Sequence, residues 1–452
     1  MTDSSWISEE LSGANFKDER LSKRLLLIAD SLSKKSEQSI PAAMDGWHDT
    51  VATYRFFDNE KVTPAKILEP HLANTVKRIK SHNIVLCLQD TTELDYSSKS
   101  DIEGLGPLNT NTHRGFLLHP TIAITPEREF LGIVNANMYT RDSIGDKELD
   151  RKRPIEDKES IRWLDSFEIV DGVARECSDT LMVNIADREG DIYELFHETG
   201  GIRHGAGAHW LVRAAYNRKV SKDTKLWDTV EKEEVCGHIE FKLPKRGNTP
   251  ARIVTQELRI CKVKLGGSRR EGGALPPLEV TAVLAREINS PKGSKPVEWL
   301  LLSSLPVYGK ECALMLMQWY LCRWEIEIFF KTLKSGCTVE ELQLEHISNL
   351  YNCVTLYMII AWRVMFIRSM GLKIPDENCT LIFTNNEWQS VYCISNKTKI
   401  LPEQPPSVYQ MIIMIAKLGG FLGRKGDGYP GVTTIWIGFQ RMVDFAHAWA
   451  YR

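Results

Sequence analysis

Two aspartates stand where short apolar runs stop. Ile84-Val85-Leu86-Cys87-Leu88 leads into Gln89-Asp90-Thr91-Thr92, and Leu181-Met182-Val183-Asn184-Ile185-Ala186 leads into Asp187-Arg188-Glu189-Gly190. Apolar runs of this length, bounded by turn formers, read as buried strands. Strand ends carry chemistry well because the scaffold behind them is rigid. Asp is also an ordinary cap or turn former there, so neither aspartate decides anything alone. A third carboxylate changes the weighing. The stretch Trp319 to Lys334 reads as part of a long helix from about Cys312. At ~100° per residue, Tyr320, Arg323, Glu327 and Lys334 fall within a ~60° wedge. The rest of the circumference carries Leu321, Trp324, Ile326, Ile328, Phe329, Phe330 and Leu333. A helix buried on most sides that keeps such a polar strip needs a reason. One is an Arg323–Glu327 i,i+4 pair, worth only a few tenths of a kcal/mol. The other is a carboxylate that holds a metal while cations hold phosphates. Two carboxylates ~5 Å apart repel by about 3 kcal/mol at an effective dielectric of ~20. Three together demand cations among them.

The elements that position these groups fall into three regions. Residues 1–70 read as short helices, with Leu21, Leu25, Ile28 and Leu32 at helical spacing over Asp18–Ser33, a second helix through Thr50–Phe57, and Thr63-Pro64 opening a third. From about residue 80 the texture is strand. Phe116–Ile124 and Glu129–Met138 form an antiparallel hairpin across Thr125-Pro126-Glu127-Arg128. A helix over Lys158–Phe167, the strand before Asp187, a helix from Asp191 and a strand Trp210–Ala214 follow. Residues 220–300 read as an inserted β-rich subdomain. After the Glu327 helix come another near Leu350–Met370, a loop-rich stretch Pro375–Pro406, and helices near Ser407–Lys417 and Thr434–Trp449.

Composition bounds the class. The 452 residues are 43% hydrophobic and 26% charged, which excludes a disordered or collagen-like chain. No run of ~18 uninterrupted apolar residues predicts a membrane span, and no secretory leader is visible at the start. The ten cysteines include no C-x-x-C pair and read as reduced thiols of a cytoplasmic protein. The formal net charge of −2 argues against a nucleic-acid binder on average. It hides a local excess: Arg213 to Arg270 holds fifteen Lys/Arg against seven Asp/Glu. Residues 1–70, with nine basic and twelve acidic residues, give no electrostatic signal.

Tyr320-x2-Arg323-x3-Glu327-x6-Lys334 resembles the Y-R-E-K signature of bacterial insertion-sequence DDE transposases, the cut-and-paste enzymes that include the transposon-five transposase. Asp90-Thr91-Thr92 and Asp187-Arg188-Glu189-Gly190-Asp191-Ile192 resemble the two aspartate blocks of that family. Pro291-Lys292-Gly293 with Trp299-Leu300-Leu301-Leu302 resembles the strand before the signature helix. Ile415-Ala416-Lys417-Leu418-Gly419-Gly420-Phe421 resembles the C-terminal segment, and Tyr54-Arg55-Phe56 the N-terminal one.

The resemblance implies an α/β fold: an RNase H-like mixed-sheet catalytic core at 71–370 with its β-rich insertion. A helical DNA-end-binding domain at 1–70 and a helical dimerisation domain at 371–452 flank it. It implies that Asp90, Asp187 and Glu327 bind two Mg2+ ions, with Mn2+ as a substitute, and that Tyr320, Arg323 and Lys334 hold phosphates. It places Trp299 on a base flipped from a DNA hairpin, with Arg213 in the same pocket, and turns the basic excess into a phosphate-tracking surface. The implied partners are double-stranded DNA (inverted-repeat element ends and target) and a second copy in a synaptic homodimer, with no membrane. The implied location is the bacterial cytoplasm, at the nucleoid. Rival readings are a structure-specific RNase H-like nuclease that never transposes, a non-catalytic DNA-binding inhibitor, and, more remotely, a glycosidase.

Overall fold

A computed structural model describes residues 6–99, 101–110, 112–143, 153–243, 251–270, 273–291, 293–306 and 309–450. Lys292 of the Pro-Lys-Gly motif and residues 244–250 of the basic stretch lie outside them. The chain divides into two units. One comprises 1–78, 91–144 and 325–452, the other 79–90 and 145–324.

The first unit opens with five helices: α1 (Trp6–Leu11), α2 (Glu19–Lys34), α3 (Ile40–Ala43), α4 (Trp47–Phe57) and α5 (Pro64–Ile79). Asp18 caps α2 by accepting the Arg20 amide, and Leu25, Ile28 and Leu32 are buried as their spacing predicts. Strands β2 (Thr92–Asp95) and β3 (Gly106–Pro107) pair antiparallel with β4 (Arg114–Ile124). The expected hairpin joins β4 to β5 (Phe130–Tyr139). Its turn is closed by Thr125 and Glu129, with Arg128 at φ 67°.

The C-terminal part of this unit is helical: α10 (Trp324–Lys331), α11 (Ile347–Lys373), α12 (Asn385–Asn396), α13 (Val408–Leu418) and α14 (Val432–Ala450). By length and composition α11 is long and apolar enough to cross a membrane, but most of its apolar stretch is buried here. It is the axle of the unit. Trp362 donates its indole N–H to the Phe130 carbonyl of β5 at 3.1 Å. Asn352 donates to the carbonyls of Phe57 and Val62, which fixes the N-terminal helices to it.

In the second unit β1 (Ile84–Gln89), β6 (Leu181–Ala186) and β7 (His209–Arg213) run parallel. Parallel neighbours need a crossover, and α6 (Ile161–Glu176) lies between β1 and β6 in the chain. The sheet continues antiparallel through β13 (Glu298–Ser303), β12 (Leu278–Glu287), β9 (Arg252–Leu265) and β8 (Gly237–Leu243), in the order β1-β6-β7-β13-β12-β9-β8. The β-rich stretch around 220–300 is therefore no separate body, because β8, β9 and β12 widen the sheet that carries the aspartates. The fold is mixed α/β, with a mixed sheet between helical N- and C-terminal regions.

One expectation is corrected. The helix from Cys312 to Lys334 is not continuous. α9 (Gly309–Leu321) closes early: the amides of Cys322 and Arg323 turn back to the carbonyls of Trp319 and Tyr320 at 3.0 Å each. These are i→i+3 bonds, which tighten and end a helix. α10 then restarts at Trp324 and widens into a π-helical turn over Thr332–Gly336. A single straight helix therefore does not carry the four signature residues.

Candidate active site

Asp90 and Asp187 follow adjacent parallel strands. The register pairs Leu88 with Ile185, so two residues further on the aspartates stand level at one edge of the sheet. Neighbouring strands lie ~4.8 Å apart, which brings both carboxylates to one place. Beneath them the Gln89 amide donates to Asn184 Oδ1 at 2.7 Å, and both side chains are fully buried. Asp187 also caps the short turn Arg188–Gly190, its Oδ1 accepting the Glu189 amide at 2.8 Å. Capping fixes one oxygen and leaves the other to act.

Arg323, at the break between α9 and α10, places Nη1 2.8 Å from Asp90 Oδ2. Both side chains are largely screened from solvent, at 13% and 20% exposure, so the pair is stronger than a surface ion pair. Tyr320, one turn earlier on α9, is buried. Burial pushes its phenol up from the ordinary value, Arg323 and Arg213 pull it down, and Asp187 pushes it up again. Arg213, at the end of β7, is one of the two cations that act on its hydroxyl. Burial pulls the Arg213 guanidinium down, and Arg188 and Arg323 add like-charge repulsion. Nη2 of Arg213 donates to the Glu298 carbonyl at 3.2 Å, while its Nε is buried without a protein partner. Such an orphaned donor suits an incoming phosphate oxygen.

Trp299 is the next residue expected at the site. It is 7% exposed on β13, Phe241 stacks on it at 5.2 Å and 21°, and Tyr320 leans on it at 5.9 Å. The indole packs against both Phe241 and Tyr320. A flipped base would first have to displace Phe241.

Glu327 and Lys334 belong to the other unit. Glu327 is exposed on α10. Lys334, in the π turn, lies 3.4 Å from Glu340 Oε1, which also accepts the Asp95 amide at 2.9 Å. Two residues before Glu327, Glu325 is buried and paired with Arg128 at 2.9 Å and Arg368 at 3.7 Å.

Among the described residues no three His, Cys, Asp or Glu side chains gather into a ready-made metal cluster. The aspartate pair by itself still fits Mg2+, which takes hard oxygen donors and is commonly bound through one or two carboxylates plus substrate phosphates. Three anchoring residues escaped the sequence reading. Asp191 is one: it accepts the amides of Ala215 and Tyr216 and pairs with Arg218 at 2.5 Å, holding the loop after Arg213. It lay in the second aspartate block, where it reads as a helix start. Glu325 and His119, whose Nδ1 lies 2.8 Å from the Thr91 hydroxyl, are the others, and nothing in their spacing marked them.

Both ends of the chain match transposase models. Residues 3–62 match the family described as transposase DNA-binding, and residues 359–452 match the transposase Tn5 dimerisation domain. The two flanking modules are those of a Tn5-like transposase. Here the DNA-binding module covers α1–α4 and the dimerisation module covers most of α11 with α12–α14. A looser likeness is to a piggyBac transposase in a synaptic complex with hairpin DNA. It has 11% identity and a TM-score of 0.38, over 81% of this chain and 73% of that one. That likeness is too weak to carry any property across.

Proposed function

We propose that this transposase cuts DNA at its element ends by Mg2+-dependent phosphoryl transfer, through a hairpin, and joins the freed ends to target DNA. The observation that carries the reading is the pair Asp90 and Asp187, level on adjacent strand ends beside Arg323, Tyr320 and Arg213. Asp90 and Asp187, joined by Glu327, would hold the metal. Two Mg2+ ions held there would supply activation of the attacking oxygen and stabilisation of the leaving one. The chain's own residues do the rest. Arg323, now paired with Asp90, would be the group to receive a phosphate oxygen. Arg213 offers its orphaned Nε to the same strand, and Tyr320, kept neutral by burial, donates its hydroxyl. Lys334 adds a positive charge on the Glu327 side. The basic stretch from Arg213 to Arg270 steers the backbone. Synapsis of two ends would use the dimerisation module, and the DNA substrate would be met at the nucleoid of the bacterial cytoplasm.

Glu327→Gln tests the third ligand. It removes one ligand charge and keeps the volume. In Mg2+, nicking and strand transfer should both disappear while a duplex with the inverted repeat flanking the gene is still bound. Cleavage near the wild-type rate would remove Glu327 from the site.

A further inference from the structure

The loops that follow Asp187 and Arg213 are tied to each other. The register pairs Ala186 with Val212, so Asp187 and Arg213 leave their strands side by side. Further along the first loop, the buried carboxylate of Asp191 accepts the amides of Ala215 and Tyr216 at 2.6 and 3.0 Å. The same carboxylate pairs with Arg218 at 2.5 Å, and Arg218 donates to the Asp191 carbonyl at 3.0 Å. The Arg218 guanidinium lies 5.3 Å from the ring centre of Phe196 and 5.3 Å from that of Tyr216. Phe196 in turn stacks on Trp210 of β7 at 4.4 Å and 24°. A chain of contacts thus runs outward from the buried Trp210 and ends at Tyr216, which is 58% exposed. Single exposed aromatics are ordinary. This one differs because its backbone is pinned at a buried carboxylate and its ring is backed by a guanidinium. We propose that Tyr216 is a stacking platform for a nucleobase that has lost a stacking neighbour, at the DNA end held against these strand ends.

A fixed aromatic ring selects its partner by geometry. Inside an intact duplex both faces of a base are covered by its neighbours. A protein ring can stack only where a base is terminal, frayed, unpaired or beside a nick. Every base has a π-face, so such a contact tolerates any sequence and favours disrupted DNA over intact duplex. A ring ordered beforehand loses little freedom on binding, and the Asp191 clamp supplies that order. The surroundings suit the role. Arg213 lies three residues before Tyr216 and Arg188 directly follows Asp187, so cations for the sugar-phosphate backbone stand beside a platform for the base.

This inference rests on the strand ends being where DNA is engaged, and the experiment separates the two. Binding to the full-length protein is read by fluorescence anisotropy in EDTA, without cleavage. Two DNAs are compared: a blunt duplex bearing the inverted repeat that flanks the gene, and the same duplex with a short unpaired tail at the element end. Wild type should bind the tailed DNA more tightly. Tyr216→Ala and Tyr216→Leu should each weaken tailed binding about tenfold and leave blunt-duplex binding unchanged. Tyr216→Phe should keep the preference, because the ring makes the contact and the hydroxyl does not. Urea titration should give all three variants wild-type stability, as suits a side chain this exposed. Unchanged tailed binding in Tyr216→Ala overturns the proposal, as does an equal loss on both DNAs or a Phe variant as weak as the Ala one. Arg213→Gln tests the reading beneath it: undiminished affinity for both DNAs in that variant would mean that DNA is engaged elsewhere.

Discussion

At the scale of single residues, the site is built from groups that are already engaged. Arg323 neutralises Asp90, and Asp187 caps a turn. Such pairings keep like charges tolerable until a cation and a phosphate exchange partners with them. Trp299 shows what residue type alone conceals. A tryptophan on an apolar strand suits either a stacking platform or a core, and the deciding neighbour, Phe241, is 58 positions away in sequence. Trp299→Ala should therefore lower folding stability by about 3–5 kcal/mol, the cost of a large cavity. Urea unfolding checks it. Because Tyr320 loses its prop, nicking should slow along with any later step. A stable variant that nicks normally and fails only at hairpin formation would restore the base-stacking role.

At the scale of elements, periodicity made the strand ends legible. The runs before Asp90 and Asp187 and the hairpin β4–β5 are simple apolar or alternating patterns. The break at Cys322-Arg323 was not legible, since neither Gly nor Pro marks it. The helix is ended by two i→i+3 bonds and a side chain committed to Asp90. α12 was also missed, because its ends are Asn-rich and its start is set by a capping box between Thr384 and Glu387. The dimerisation module depends on close helix crossing. A Cβ on Gly438 would stand 1.8 Å from the Ile415 carbonyl oxygen, and one on Gly419 would stand 1.8 Å from that of Thr434. Gly438→Ala should force α13 and α14 apart, cost about 1–3 kcal/mol and weaken self-association. Sedimentation with urea unfolding reads both, and wild-type values for both would show that the crossing yields freely.

At the scale of the molecule, the DNA-binding module is tied to the helix that carries the dimerisation module through one buried cluster. Glu10 on α1 meets His71 Nδ1 at 2.5 Å and Arg78 at 2.9 Å, and Arg78 lies over the Trp362 ring of α11. Burial alone would raise the Glu10 carboxyl, but the His71 and Arg78 contacts hold it at about 2, below its ordinary 4.5. A depressed carboxylate gives its full stabilisation above pH ~4.5 and loses it as the pH falls toward 2. That shift corresponds to about 3 kcal/mol, of which about 2 should vanish between pH 6 and pH 3. Urea titrations of wild type and Glu10→Gln at those two values should show the wild type losing more. Equal losses would mean that Glu10 is not the titrating tie. The account as a whole stands on the aspartate pair. Its most direct test is nicking, in Mg2+, of a duplex bearing the inverted repeat that flanks the gene, by wild type and by Asp187→Asn, with duplex binding measured in parallel. The account predicts at least about a thousandfold loss of nicking at unchanged binding. Nicking by Asp187→Asn within about tenfold of wild type would contradict it.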